Sequence, residues 1–348
     1  MERLGSPVFD AATVARCAAL LEVSQHVVIT SHRSPDGDAM GSALALGAFL
    51  RESGIHCRVV MPDACPRFLH WMPGHETVLT LAGHPTEVAE ALDAADLVFC
   101  LDYNGLDRTG PLAPLLRASS APKVLIDHHP FPEDFADVSF SDVSASSTCE
   151  LVYGWMEATG AASLSSAVAA CLYVGLITDT GSFRFSAVTP NTLRIAARLM
   201  ESGIDHAAIQ SRVYDTHPLH RMRLVGFALS ERLRVWPAYR AAIIALSQAD
   251  LQRFHYQSGD TEGLVNQALG IEGVNLAVFL YEDAEGRIKM SFRSRGRFSV
   301  QEVAKAHFSG GGHHNAAGGM VEGATLEAVC ERLEALLPGW ATALDYEI

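Results

Sequence analysis

Four short stretches concentrate carboxylates and imidazoles. "SHRSPDGDAMGS" carries His32, Asp36 and Asp38, "FCLDYN" carries Asp102, "LIDHHP" carries Asp127, His128 and His129, and "GLITDTGSF" carries Asp179. Gathered into one crevice, five carboxylates and three imidazoles could not all stay charged and unpaired, because an isolated buried charge is too costly to keep. Divalent cations remove the difficulty: each carboxylate becomes a ligand and each imidazole is held neutral. Mixed oxygen and nitrogen donors without thiolates favour manganese, or magnesium and its relatives, over a structural zinc site. Each stretch alone has a plainer reading. Asp36 and Asp38 flank Gly37 ahead of a helical pattern and could be a turn residue and a cap; Asp102 and Asp179 could be likewise, and His128 could be a buried core histidine. The conjunction separates the two readings, since independent caps need not share one edge of one sheet.

The elements that would position these groups belong to a parallel α/β sheet, in which short apolar runs alternate with amphipathic segments. "HVVITSH", "CRVVMP", "ADLVFCLDYN" and "KVLIDHHP" read as strands, and "AMGSALALGAFLRESG" reads as a helix ended by Gly54. Further helices are expected in "STCELVYGWMEATG", "SLSSAVAACLYVGLITD" and "NTLRIAARLMESG". Sites in open sheets of this kind form outside the carboxyl ends of the strands, so clusters far apart in sequence can converge there. "THPLHRMRLVGFALSERL" carries helical periodicity and reads as a connecting helix. Beyond it, "YRAAIIALS", "GVNLAVFLYEDAEGRIKMSFRSRG" and "GGGHHNAAGGMVEG" suggest a smaller α+β domain, with "EDAEGR" as a hairpin turn. The division expected is a catalytic domain over residues 1–215, a linker helix over 216–235 and a second domain over 236–348.

The chain as a whole narrows the function. Its 348 residues suffice for two cores, and 49% hydrophobic content excludes a disordered chain. No apolar run reaches membrane-spanning length, and "MERLGSPVFD" lacks the basic and apolar regions of a signal peptide. Seven scattered cysteines without a CxxC pair fit reduced, buried thiols in a cytoplasm better than a disulfide framework. A formal net charge of −14 argues against grip on long duplex nucleic acid, which needs a basic surface. A short phosphate-bearing ligand remains compatible with local positive charge or a bound metal.

In order and approximate separation, "SHRSPDGDAMGS", "LDYN", "IDHHP" and "TDTGSF" resemble the motifs of the DHH phosphoesterases. "SFRSRG" and "GGGHHNAAGG" resemble the DHHA1 substrate-binding domain, and together they look most like the NrnA-type nanoRNases. The resemblance implies a parallel-sheet DHH domain, a smaller α+β DHHA1 domain, and an active site in the cleft between them. It implies two divalent ions, manganese with magnesium or cobalt as alternatives. His32, Asp36 and Asp102 would hold one, and Asp38, Asp102, His128 and Asp179 the other, with Asp102 bridging. His129 would face the substrate, and Asp127 would orient the neighbouring histidines. Arg108, Arg293, Arg295, Gly311, Gly312 and His313 would contact substrate. For the two later arginines, alternation about Ser294 would place both on one strand face; the plainer readings are a solvated face there and a flexible loop at the glycines. The implied substrates are short RNA oligonucleotides and 3′-phosphoadenosine 5′-phosphate, hydrolysed by two-metal activation of water, with no membrane partner and with a homodimer among the assemblies allowed. A cyclic-dinucleotide phosphodiesterase is the alternative within the family, and a nucleic-acid-binding protein with an inactive DHH fold is the alternative outside catalysis.

Overall fold

The computed structural model describes residues 9–161 and 163–347. Residues 1–8, which open the segment read as carrying no leader, lie outside that description. The chain divides into two compact units, with the division between Thr216 and His217.

The first unit is built on six parallel strands: β1 (Val27–Thr30), β2 (Cys57–Met61), β3 (Leu79–Thr80), β4 (Leu97–Leu101), β5 (Lys123–Asp127) and β6 (Val138–Ser141). Their spatial order is β3-β2-β1-β4-β5-β6. β1 pairs in parallel with both β2 and β4, Ile29 lying opposite Val59 on one side and Phe99 on the other. The strand order therefore reverses between β1 and β4, and a crevice opens beyond their carboxyl ends at such a switch point. β1 and β4 are buried along their whole length, as continuous apolar runs covered on both faces must be. Val27, Ile29, Val59, Phe99, Val124 and Ile126 enter one core, and Val28, Val60, Val98 and Leu125 enter the other, the period-two alternation of a pleated strand.

On the first of these faces the helices Gly37–Glu52 and Ser166–Asp179 lie almost backbone to backbone. A Cβ on Gly41 would come within 2.6 Å of the Cys171 carbonyl oxygen, and one on Gly175 within 2.7 Å of Asp38 Oδ1. Only glycine permits that approach. The packing brings the first turn of one helix, with Asp38, beside the helix that ends in Asp179. The four strands and four helices expected for this unit are all present. β3 and β6, and the helices Ala11–Val23, Pro85–Asp93, Ala113–Ala118 and His206–Tyr214, are additions to that reading.

In the second unit, β7 (Leu233–Trp236), β8 (Ala241–Leu246), β9 (Leu276–Glu282), β10 (Ile288–Ser294), β11 (Gly311–His313) and β12 (Ala316–Val321) form a sheet of order β11-β12-β10-β9-β8-β7. The pair β8–β9 is parallel and the other pairs are antiparallel. The "EDAEGR" turn closes the β9–β10 hairpin, with Asp283 N donating to Arg287 O and Gly286 at φ 74°. Two differences from the sequence reading stand out. The segment read as a linker helix forms the helix Leu219–Phe227 and one wide turn, but β7 begins inside it and pairs Leu233 with Ile244. Leu224 and Ala228 are fully buried in one cluster with Ile244 and Leu246, so this helix covers the second unit's own sheet. The glycine-rich "GGGHHNAAGG" forms the antiparallel pair β11–β12, not a loop. Gly312, at φ 142°, has the Ala316 carbonyl oxygen 2.5 Å from where a Cβ would stand. Strand pairing already demands a glycine there.

Candidate metal centre

Each acidic or imidazole group past β1, β4 and β5 is held by an identifiable local device. His32 follows β1 with Nδ1 2.8 Å from the Arg33 carbonyl oxygen, which turns Nε2 toward Asp102 Oδ2 at 3.3 Å and Asp36 Oδ1 at 3.9 Å. Asp36 is the N-cap of the helix Gly37–Glu52, its Oδ1 accepting from the Asp38 and Ala39 amides at 3.0 Å. The capping reading of this residue is therefore correct, and it leaves the second carboxylate oxygen available. Asp38, buried in the first helical turn, accepts the Thr148 amide at 2.6 Å and the Cys149 amide at 3.0 Å.

Asp102 stands directly past β4 at φ 64°, a left-handed conformation that Asp and Asn tolerate better than other side chains. Its Oδ2 faces His32, whereas Oδ1 lies 3.6 Å from His128 Nε2 and accepts the Thr148 hydroxyl at 2.8 Å. One carboxylate thus looks two ways. His128 Nδ1 lies 3.3 Å from the Ala145 carbonyl oxygen, and its Nε2 meets Asp179 Oδ2 at 3.4 Å and Asp38 Oδ2 at 3.9 Å. His129 Nδ1 bonds Asp127 Oδ1 at 2.8 Å, while Asp127 Oδ2 is buried with no hydrogen-bond partner.

Two three-residue sets result, His32/Asp36/Asp102 and Asp38/Asp102/His128, each with donor atoms within 4.8 Å of one another; Asp102/Asp127/His129 forms a third. The charges show what the cluster lacks. Burial, then repulsion from Asp102 and Asp179, pushes the Asp38 carboxyl well above its ordinary range. Asp179 is pushed up to about 6 by burial, with His128 opposing and Asp36 and Asp102 adding. Burial would lower His32, but the hydrogen bond with Asp102 and the charges of Asp36 and Asp102 outweigh it and raise it to about 9. His128 also reaches about 9 against its burial, through Asp179, Asp102, Asp38 and Asp127. Asp102, despite burial, is held below the usual carboxylate range by the His32 hydrogen bond and the charges of His129, His32 and His128. The cluster draws protons because it holds more negative charge than its surroundings balance. An all-oxygen-and-nitrogen donor set of this kind fits hard or borderline divalent cations.

The sequence reading passed over the groups that orient these side chains. The helix Thr148–Ala158 points its N-terminus at Asp38, and Thr148 ties Asp102 as well. Ser147 caps the helix through the Glu150 amide at 3.2 Å. The buried Glu150 carboxylate accepts from Ser146 N, Ser146 Oγ, Asn191 Nδ2 and Thr192 Oγ1, which fixes the turn leading into that helix. The signal was present as Ser-x-x-Glu ahead of an apolar run, a helix-start pattern.

Of the residues expected to contact substrate, Arg108 is exposed in the turns Leu106–Leu112 of the first unit, and its carbonyl oxygen accepts the Arg33 amide at 2.9 Å. The others lie in the second unit. Arg293 is half-buried on β10, on the face that carries Lys289 and Ser291, with Nη1 donating to the Phe292 carbonyl oxygen at 3.0 Å. β10 ends at Ser294, so Arg295 falls outside the alternation that was expected to pair it with Arg293. Gly311, Gly312 and His313 constitute β11.

Comparison with known proteins divides along the same two units. Residues 26–176 match the DHH family, N-terminal domain, and residues 243–338 match the DHHA1 domain. The bifunctional oligoribonuclease and PAP phosphatase NrnA of Thermus thermophilus is 31% identical over 314 residues, covering 90% of each chain. The Bacillus subtilis protein of the same name is 27% identical, covering 88% of this chain and 96% of that one. Among solved structures, an exopolyphosphatase-related protein from Bacteroides fragilis superimposes with a TM-score of 0.92 at 37% identity, over 98% of this chain and 100% of that one.

Proposed function

The chain belongs to the DHH/DHHA1 phosphoesterases of the NrnA type and is a phosphoric-ester hydrolase, and from that premise we propose its substrates: short oligoribonucleotides, cut to mononucleotides, and 3′-phosphoadenosine 5′-phosphate, which it dephosphorylates. The observation that carries the reading is the pair of ligand sets sharing Asp102. His32, Asp36 and Asp102 hold one divalent ion in this proposal, and Asp38, Asp102, His128 and Asp179 hold the second, with manganese the preferred species and magnesium or cobalt alternatives. When bound, such ions polarise the phosphoryl group and activate water as the nucleophile.

The protein's own residues do the rest. Asp127 fixes the His129 ring by accepting a hydrogen bond from its Nδ1–H, which directs Nε2 to a phosphate oxygen or the leaving ribose oxygen. The helix N-terminus at Thr148 holds Asp38 in place as a ligand without adding a titratable group. Arg108, Arg293, Arg295, Gly311, Gly312 and His313 take the non-reacting parts of the substrate, which restricts turnover to short ligands. A net charge of −14 supports that restriction, since it provides no track for a long polyanion. All seven cysteines are buried and free, and no helix among the described residues is long and apolar enough to cross a membrane; the first of these supports a reducing compartment such as the cytoplasm.

The test is a manganese-supported substrate panel resolved by product chromatography: di- to pentaribonucleotides, a 20-mer, the bisphosphate nucleotide, cyclic dinucleotides and short polyphosphate. The proposal requires mononucleotide products from the short RNAs and adenosine monophosphate from the bisphosphate. Preferential turnover of cyclic dinucleotides or polyphosphate would replace it, and no turnover of any substrate with metal bound would leave a binding protein.

A further inference from the structure

A second group of metal-ligating side chains lies in the first unit, apart from the strand ends that carry the carboxylates. "CPRFLHWMPGH" places Cys65, His70 and His75 at a constant spacing of five. The backbone between them is a run of tight turns: Leu69 N bonds Pro66 O, His70 N bonds Arg67 O, Met72 N bonds Leu69 O, and His75 N bonds Met72 O, all at 2.9–3.1 Å. Gly74, at φ 83°, reverses the chain just before His75. Leu69 and Met72 sink into the core and anchor this run. The same winding stacks the His70 and His75 rings at 4.3 Å between centroids and sets His70 Nε2 3.0 Å from the Cys65 carbonyl oxygen. One donor atom from each of the three residues lies within 4.8 Å of the others.

We propose that Cys65, His70 and His75 bind a borderline-soft divalent cation of the zinc class, as a site separate from the oxygen-rich cluster and selective for a different metal. The donor chemistry argues for this separation. Manganese and magnesium favour carboxylate and water, whereas one thiolate with two imidazoles is a zinc-type set that leaves a fourth position for water. Tetrahedral zinc holds such donors roughly 3.3–3.6 Å apart, so donors that lie within 4.8 Å of one another must close by at most about 1.5 Å. His70 is exposed and can turn that far. Burial holds the Cys65 thiol protonated, so binding releases one proton to solvent as the sulfur–metal bond forms. No electron is transferred. The turns are already formed by their own hydrogen bonds, so little chain ordering accompanies binding.

The experiment uses the full chain, stripped with chelator and titrated with cobalt(II), a spectroscopic stand-in for zinc. None of the side chains proposed as ligands in the oxygen and nitrogen cluster is a thiol, although Cys149 Sγ adjoins Asp38, so the part of a near-ultraviolet sulfur-to-cobalt charge-transfer band that depends on Cys65 reports this site. That part is expected in wild type and absent in Cys65→Ser. Zinc content after gel filtration is expected to fall by one equivalent per chain in His70→Ala, whose exposed side chain makes misfolding no concern, and again in His75→Gln. Manganese-supported turnover of His70→Ala should stay at the wild-type level, because the carboxylate cluster is untouched. A wild type without the band, a band that survives undiminished in Cys65→Ser, or equal zinc content in wild type and His70→Ala would each overturn the proposal.

Discussion

Thr148 gives the sharpest single test of how the candidate centre is held. Thr148→Val keeps the shape and burial of the side chain and the backbone N–H that Asp38 accepts, and removes only the hydroxyl bonded to Asp102 Oδ1 at 2.8 Å. Both partners are buried, so no water takes the vacated place. A buried hydrogen bond to a charged group contributes about 1.5–3 kcal/mol, which corresponds to about 10- to 150-fold in an equilibrium or rate constant. With metal limiting, the loss should fall on metal affinity and approach the upper figure. At saturating manganese the cation retains Asp102, and the remaining fall in kcat should lie near the lower figure. Thr148→Ser, which restores the hydroxyl, should recover most of both. The assay is turnover against manganese concentration for the three proteins, with circular dichroism to confirm that each is folded. Wild-type metal affinity and turnover in a folded Thr148→Val would show that this helix start has no part in positioning Asp102.

The same geometry sets other outcomes. Asp102→Asn suits the left-handed backbone at φ 64°, so it should fold yet lose turnover by orders of magnitude, whereas Asp107→Asn, at an exposed residue paired with Arg117, should stay near wild type; parallel rate and metal analysis decides. His128→Ala should lower manganese content, and His129→Ala should retain the metal but lose turnover; loss of metal only in the His129 variant would reverse the two roles. His32 and His128 are both raised from 6.5 to about 9, so in the metal-free protein their protonation stabilises the fold fully below about 6.5 and is lost as pH rises through about 9. A divalent ion must displace those protons, so manganese affinity should climb across that window with proton release, measurable by calorimetry in buffers of different ionisation enthalpy; pH-independent binding would contradict this. Gly175→Ala drives a methyl group toward Asp38 Oδ1 and Cys149 Sγ and should destabilise by about 1–3 kcal/mol, seen as a lower Tm, while Gly226→Ala, which meets open space, should not.

The grouping of these carboxylates and imidazoles was legible in the sequence because strand-end chemistry is local. A carboxylate or imidazole directly after an apolar run announces itself wherever the run stops, as at Thr30, Leu101 and Asp127. Their convergence needed only the rule that parallel strands share an end. What could not be read was contributed by partners distant in sequence. Nothing near Thr148 says that its amide will meet Asp38, 110 residues earlier. β3 has two residues and β6 four, too few for a periodic signal to rise above composition. β7 was read as helix because Leu224, Ala228 and their neighbours keep a helical rhythm up to the strand, and only pairing with β8 sets Leu233–Trp236 apart from the helix before it. The glycines around Gly312 suggested freedom, whereas the close passage of β12 restricts them.

The acidic centre draws its side chains from four separate stretches between His32 and Asp179, each held at the end of a different strand or helix. An unfolded chain scatters them, so it has no comparable affinity for a cation, and whatever binds the assembled centre draws the folding equilibrium of the first unit toward the native state. At a free-ion concentration 100 times the dissociation constant, that linkage adds about 2.7 kcal/mol, a sizeable share of the roughly 5–15 kcal/mol that holds a typical domain folded. Metal starvation would then shorten the lifetime of the protein as well as silence it. Proteases reach a domain through its transiently opened forms, and under the proposed metal assignment a first unit stripped of metal would open more often.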